Sequence, residues 1–183
     1  MASVFDPITI GPLTLRNRFV KSGANEAMSR NGRPTKALLK HHSDLARGGV
    51  ALTTVAYGAV SHIGRTLEHQ VVMEESALAD RRAVTDAVHA EGGKIAPQLW
   101  HVGGMRKAGT PPEGDVDGYC PSGMNVPGKV NRHVMSQQDI ADCVDAFARG
   151  AAEAKALGFD AVEIHGAHGY LIAQFFWAGT NVR

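Results

Sequence analysis

The feature that most constrains this chain is a repeated change of period. Short β-branched runs alternate with amphipathic helical stretches that stop at glycine. "RFVKSGA" (residues 18–24) reads as a first strand. Pro34 and Thr35 then open a helix. Its Leu38, Leu39, His42, Leu45 and Ala46 follow helical spacing, and Gly48 and Gly49 end it. "VALTTVAY" (50–57) reads as a second strand, residues 76–93 as a second helix, and "KIAPQLW" (94–100) as a third strand despite Pro97. Residues 101–135 read as a long loop with four of the eight prolines, a length that is usually functional or disordered. Ser136 and Asp139 form a capping-box-like start to a third helix. That helix carries Ile140, Cys143, Val144, Phe147, Ala151 and Ala154 on one stripe and ends at Gly158. "FDAVEIH" is the fourth strand. This (βα)₃β order predicts a parallel sheet with helical crossovers.

Two closures fit that order, an open doubly wound sheet and a β/α barrel. An open nucleotide-binding sheet normally carries GxGxxG after its first strand, and the motif does not occur. "GMNVPGKV" (123–130) matches GxxxxGK, but Val130 stands where Ser or Thr would reach a metal, and Pro127 removes a backbone donor. A barrel instead gathers function where strands end. Those ends carry Ser22 to Glu26, Ala56 and Tyr57, Gln98 to His101, and His165 to Tyr170. A full barrel takes eight units and typically ~250 residues. The expectation is a TIM-type (β/α)₈ fold of which residues 1–183 supply the first half, ending after strand four.

Composition narrows the class. Nineteen Lys and Arg against 18 Asp and Glu leave a net charge of +1, so neither nucleic acid nor an anionic membrane is an expected partner. Cys120 and Cys143 form no CxxC pair, which points to reduced thiols and a cytoplasmic setting. "MASVFDPITIG" has neither the basic nor the apolar region of a signal peptide, and no run approaches the ~18 apolar residues of a spanning helix.

"VEIHGAHGYLIAQFF" (162–176) carries the most chemistry. Alternation puts Glu163 and His165 on one strand face and Val162 and Ile164 on the other, which should pack on outer helices. His165, His168 and Tyr170 then sit at the mouth. Three readings stay open: a metal site joined by His101, as in a metal-dependent barrel hydrolase; histidines that merely cap the strand; and a carbonyl-recognition site. In the last, two imidazole donors stabilise charge on one oxygen and a phenol supplies a proton.

"GFDAVEIHGAHGYLIAQFFWAGTN" resembles the fourth-strand signature of the old yellow enzyme family of FMN-dependent ene-reductases, also called NADH:flavin oxidoreductases. "PITIGPLTLRNRFVKS", "GRPTKALLKHHSDLARGGVALTT", "GGKIAPQLWHVG" and "PSG" resemble its upstream segments in order. The resemblance implies FMN as cofactor and NADH or NADPH as hydride donor, with ping-pong reduction of activated C=C bonds in enone- or enal-type substrates. By position, His165 and His168 match the pair that holds the substrate's activating oxygen, Tyr170 the proton donor, and Gln98 the amide on the flavin pyrimidine edge. Ser22, Gly23, Ala24 and Asn25 match the strand end along the flavin, and Tyr57 stands where a small residue usually lies. Gly23-Ala24-Asn25 replaces the common Pro-Met-Thr or Pro-Met-Cys, and Ala173 replaces a common aspartate. A half-barrel lacks the strands that usually grip the phosphate, and only Lys21 and Arg106 stand in for it by position. The expectations that follow are self-association, a complementary C-terminal half, or a catalytically inactive half-barrel.

Overall fold

The computed structural model describes residues 2–67, 69–73, 78–106, 118–123 and 132–183. Its regular elements, in chain order, are strands β1 (Ile8–Ile10), β2 (Leu13–Leu15), β3 (Val20–Lys21), β4 (Ser29–Arg30) and β5 (Arg33–Pro34), helix α1 (Lys36–Arg47), strand β6 (Leu52–Ala59), helix α2 (Leu78–Ala90), strands β7 (Lys94–Trp100), β8 (Gly118–Cys120) and β9 (Arg132–Val134), helix α3 (Gln137–Ala156), strand β10 (Glu163–Ile164) and helix α4 (Leu171–Phe176).

Strands β3, β6, β7 and β10 form one parallel sheet in that spatial order. Chain order and spatial order agree throughout. A doubly wound sheet reverses its order at a switch point, whereas a barrel adds each strand beside the last. The sheet is therefore half of a β/α barrel.

Local signals set the helices. The Thr35 side chain accepts the Leu38 N–H at the start of α1, and Gly49 leaves it at φ +102°, a conformation that favours glycine. At α3 the box closes in both directions: Asp139 N–H donates to Ser136 at 3.1 Å, and Ser136 N–H to Asp139 at 2.7 Å. The core unites Leu38 and Ala46 of α1, Val55 of β6, Val84 and Val88 of α2, Ile95 and Leu99 of β7, and Ala146 and Ala154 of α3.

Several expectations need correction. Strand one shrinks from residues 18–24 to Val20–Lys21, and strand four from 159–165 to Glu163–Ile164. Pro97 sits inside β7, where the carbonyls of Ile95 and Leu99 accept from Asp160 and His165 on the β10 side. Pro97 lies between them on that same side and has no N–H to give, so the β10 ladder forms only beyond it. The long loop holds β8 and β9, paired in parallel, and a short 3₁₀ turn at Gly103–Met105. The first two residues of the expected second helix, and most of the GxxxxGK near miss, lie outside the described residues.

Two hairpins, β1–β2 and β4–β5, and helix α4 were not expected. Just after β2, Arg16 donates to the carbonyls of Ala46, Val50 and Glu91, near the ends of α1 and α2. That contact lies where the helices finish and the strands begin, leaving the opposite rim for the strand-end loops.

The stripe expected to bury α3 also needs correction. The small residues Ala146, Gly150 and Ala154 are the buried ones, with Gly150 close over Leu99. Ile140, Cys143, Val144 and Phe147 instead line an apolar groove of about 400 Å³ with Ile164, Leu171, Ile172, Phe175 and Phe176. The outward face of β10 is open too: Ile164 is 50% exposed and Val162 39%.

Candidate active site

The four parallel strands end on one rim, and their loops bring the polar strand-end residues together. On β6 the end is irregular. Val55 pairs with Pro97 and Gly58 with Leu99, so Ala56 and Tyr57 together oppose Gln98. This β-bulge holds Tyr57 at φ +54°. Its N–H donates to Gln98 Oε1 at 3.4 Å.

The bulge delivers the Tyr57 ring to a cluster around Trp100, which is fully buried. Ring centroids lie 4.5 Å apart for Tyr57 and Trp100, 4.8 Å for Trp100 and Tyr170, and 5.3 Å for His165 and Tyr170. His168 stands edge-on to His165 at 4.9 Å and takes φ +57° in the turn after β10. The structure thus groups His165, His168, Tyr170 and Tyr57. Trp100 is the centre that the sequence reading left without a role. A tryptophan at the end of a strand, beside His101, was the signal for it. Trp100 Nε1 is buried with no hydrogen-bond partner among the described residues.

His165 is 6% exposed, and its Nδ1 accepts the Ala167 N–H at 3.4 Å. That bond leaves Nε2 as the protonated nitrogen of a neutral ring. Burial first, then the charge of neighbouring His168, lowers the His165 pKa, while Glu163 opposes them. The ring is therefore a neutral N–H donor at pH 7. Tyr170 is pushed up to about 12, by burial first and then by its hydrogen bond to Tyr57 and the charge there. A phenol held protonated in this way keeps its proton to give.

Gln98, on β7, is 5% exposed and spans the site floor: Oε1 takes the Tyr57 N–H, and Nε2 donates to Glu163 at 2.6 Å. A Cβ at Gly23 would lie 2.4 Å from the Gln98 amide nitrogen, so a side chain there would have to displace that amide. Ser22, Ala24 and Asn25 are exposed in that loop. Asn25 Oδ1 accepts the Ala27 N–H at 3.3 Å, which leaves its amide N–H₂ as the available donor. Glu26 anchors the loop from beneath. Its carboxylate accepts the Ala56 N–H at 3.1 Å and pairs with Lys21, which also donates to the Thr54 carbonyl at 2.9 Å. Lys21 is therefore engaged below the rim, and Arg106 is buried.

His101 does not join the other histidines as a metal ligand. It accepts the Gly103 N–H at 3.0 Å, and burial followed by the charge of Arg106 lowers its pKa to about 4. Among the described residues, only Glu26, His41 and His42 bring three ligand atoms within 4.8 Å of one another. Lys21 already neutralises that carboxylate. Both cysteines are free, and no helix among the described residues is long and apolar enough to cross a membrane.

The sequence matches the NADH:flavin oxidoreductase / NADH oxidase family over residues 3–183. It is 40% identical over 184 residues to the 4,4'-dithiodibutanoate disulfide reductase of Rhodococcus erythropolis, covering 99% of this chain and 44% of that protein. It is 33% identical over 186 residues to a metal reductase of Desulforamulus reducens, covering 100% of this chain and 27% of that protein. Among solved structures, morphinone reductase in complex with tetrahydroNAD superposes with a TM-score of 0.91 at 26% identity, covering 100% of this chain and 54% of that one. The old yellow enzyme homologue from Zymomonas mobilis gives 0.87 at 27% identity, covering 100% and 53%. The chain thus spans about half, or less, of the length of these relatives.

Proposed function

The chain belongs to the NADH:flavin oxidoreductase / NADH oxidase family, and from that premise we propose that it supplies the substrate-facing half of an FMN-dependent oxidoreductase site. The reading is reduction of activated C=C bonds in α,β-unsaturated carbonyl compounds. The observation that carries it is the convergence of His165, His168 and Tyr170 at one rim beside Gln98.

The residues present fit FMN. Beyond its bonds to Tyr57 and Glu163, the Gln98 amide keeps a second N–H and a second lone pair for the pyrimidine edge of a flavin. Gly23 keeps the wall beside it free of a side chain, and Asn25 has an amide donor to spare. Tyr57, Ser22 and Ala24 complete the polar and backbone edge in this proposal. FMN, when bound, would take a hydride from NADH or NADPH and pass it to the substrate.

The protein's own part is binding, polarising and protonation. The neutral His165 N–H and the His168 ring hold the substrate oxygen and stabilise charge that builds there. Tyr170 gives its hydroxyl proton to the carbon next to the carbonyl. Buried Trp100 and partly buried Tyr57 pack against the Tyr170 ring and fix its place. Of the two cations that sequence position suggested for the FMN phosphate, Lys21 is paired with Glu26 and Arg106 is buried. The open groove of α3, β10 and α4 is the surface that a second half of the barrel, or a second copy, would cover.

A second reading concerns the electron acceptor. The relative at 40% identity reduces an aliphatic disulfide, and this favours a disulfide in place of the alkene. The two are separated by reducing the FMN-loaded complete barrel anaerobically, then offering a cyclic enone or an aliphatic disulfide. Tyr170→Phe should slow enone reduction on the order of 10²–10⁴-fold while binding survives. Unchanged rates with several enones would make solvent the proton source and leave Tyr170 structural. A barrel that holds no flavin would favour a non-catalytic half-barrel.

A further inference from the structure

Glu163 and Gln98 are register partners on neighbouring parallel strands, and so are Ile164 and Leu99. Alternation puts the two pairs on opposite faces of the sheet. Leu99 packs in the core beside Gly150 of α3. Ile164 and Leu99 therefore take the helix side, and Glu163 and Gln98 the inner side. The sequence reading gave Glu163 no role in the site.

Gln98 ends in a primary amide, whose two ends are alike in shape and opposite in hydrogen bonding. Its neighbours decide which end points where. On the β6 side stands the Tyr57 N–H, which only donates, 3.4 Å from Oε1. On the β10 side stands the Glu163 carboxylate, an acceptor, 2.6 Å from Nε2. One orientation satisfies both. Its reversal sets N–H against N–H and oxygen against oxygen. The bond to Glu163 is short and charge-assisted, the stronger class. The bond to Tyr57 is long for an N–H···O contact. Glu163 therefore sets the order. Gln98 is 5% exposed and Gly23 lies against its amide, so little water is at hand to replace a lost partner.

We propose that Glu163 is a positioning residue for the flavin: it fixes the Gln98 amide with its donor end toward β10 and its acceptor end toward β6, so that the pyrimidine edge meets one order of donor and acceptor. The proposal rests on the reading of Gln98 as the flavin-edge amide and adds the residue that orients it. A flavin's pyrimidine edge alternates carbonyl acceptors with one N–H donor. The matching order pairs N–H with carbonyl and oxygen with N–H. A reversed amide puts oxygen against carbonyl oxygen. Negative charge gathers on those carbonyls when the flavin is reduced, so reversal penalises the reduced form most.

Two neutral replacements separate orientation from charge. Glu163→Gln keeps an acceptor oxygen beside Gln98 Nε2, whereas Glu163→Met keeps the length and removes the acceptor. In the whole chain, ¹⁵N side-chain amide NMR reports the five glutamines, with Gln98→Met assigning the Gln98 signals. The bonded Gln98 proton should exchange with water about tenfold more slowly than those of exposed Gln137 and Gln138, in the parent and in Glu163→Gln. That protection should vanish in Glu163→Met, and protection kept there overturns the contact. In the complete barrel, fluorescence quenching gives FMN affinity and a redox titration gives the midpoint potential. Glu163→Met should bind FMN about tenfold more weakly than Glu163→Gln, the effect of one hydrogen bond. It should also hold FMN at a lower potential, although the two variants carry the same charge. Equal affinity and potential in the two variants overturn the proposal and leave the reading of Gln98 standing. A parent barrel that takes up no FMN, or a Gln98→Met barrel that binds it as the parent does, removes that reading and the proposal with it.

Discussion

Strand β7 and strand β10 are neighbours in one sheet, yet they live in different surroundings. From Ile95 to Trp100 every residue of β7 is buried, between β6 and β10 and under α3. Both residues of β10 are exposed, and the bulky stripe of α3 beside it faces the same open groove. The two faces of α3 repeat the contrast. Its small residues are closed against Leu99, while Val144, on the other side, is 62% exposed. The difference teaches that this half-barrel is finished on its interior side and unfinished on its fourth-strand side. That side presents Ile, Val and Phe beside a strand whose far edge pairs with no strand among the described residues.

The largest effect that sharpens this contrast is on stability. Leu99→Ala should cost about 2–5 kcal/mol, because the side chain is fully buried among α3, β6 and β7 contacts. Ile164→Ala, on the open face, should cost well under ~2 kcal/mol, since half its surface already meets water. Urea unfolding of the two variants gives the comparison. Equal losses would mean that the groove is closed in solution, and molecular mass would then show a second copy.

A second test uses pH on the closed side. His42 lies on the buried face of α1, with Nδ1 2.7 Å from the Thr53 hydroxyl. Burial first, then the charge of Lys21, lowers its pKa to about 3. The folded state therefore binds fewer protons than the unfolded one between about 3 and the ordinary ~6.5 of histidine. Stability contributed by neutral His42 is present above ~6.5 and is lost as pH falls toward about 3, with a slope approaching ~1.4 kcal/mol per pH unit. His42→Phe should flatten that part of the pH–stability curve. An unchanged acid slope would place the lability elsewhere.

How much of this was readable in the residues depended on the range of the forces involved. Helices α1 and α3 were legible because Thr35, Gly49, Ser136 and Asp139 act within one turn. Strand β6, LTTVAYGA, was legible because Thr53, Thr54 and Val55 are β-branched and it runs eight residues. The hairpins and β8–β9 were not, since strands of two or three residues exist only through pairing with a distant or adjacent segment. Helix α4, LIAQFF, is six apolar residues with no period to read. In the site, His165, His168, Tyr170 and Gln98 followed from the family resemblance. The Tyr57 bulge did not, because a register shift is a property of two strands. The Glu26–Lys21 anchor left only a faint signal, a Lys and a Glu flanking the loop after β3.

The smallest effect concerns the end of α3, which borders both the core and the groove. Ser136→Ala removes the acceptor for the Asp139 N–H and should cost about 0.5–2 kcal/mol in thermal or urea unfolding. A loss several times larger would show that the cap supports the groove wall as well as the helix.

The central claim is that the open rim, with its paired histidines, is a substrate-binding and polarising site. The most direct measurement is rapid mixing of the NADH- or NADPH-reduced, FMN-loaded complete barrel with a cyclic enone, for the parent and for His165→Ala and His168→Ala. Each variant should slow reoxidation by the enone on the order of 10²–10³-fold and leave flavin reduction by the nicotinamide close to the parent rate. Equal loss in both half-reactions, or no loss in either, would contradict it.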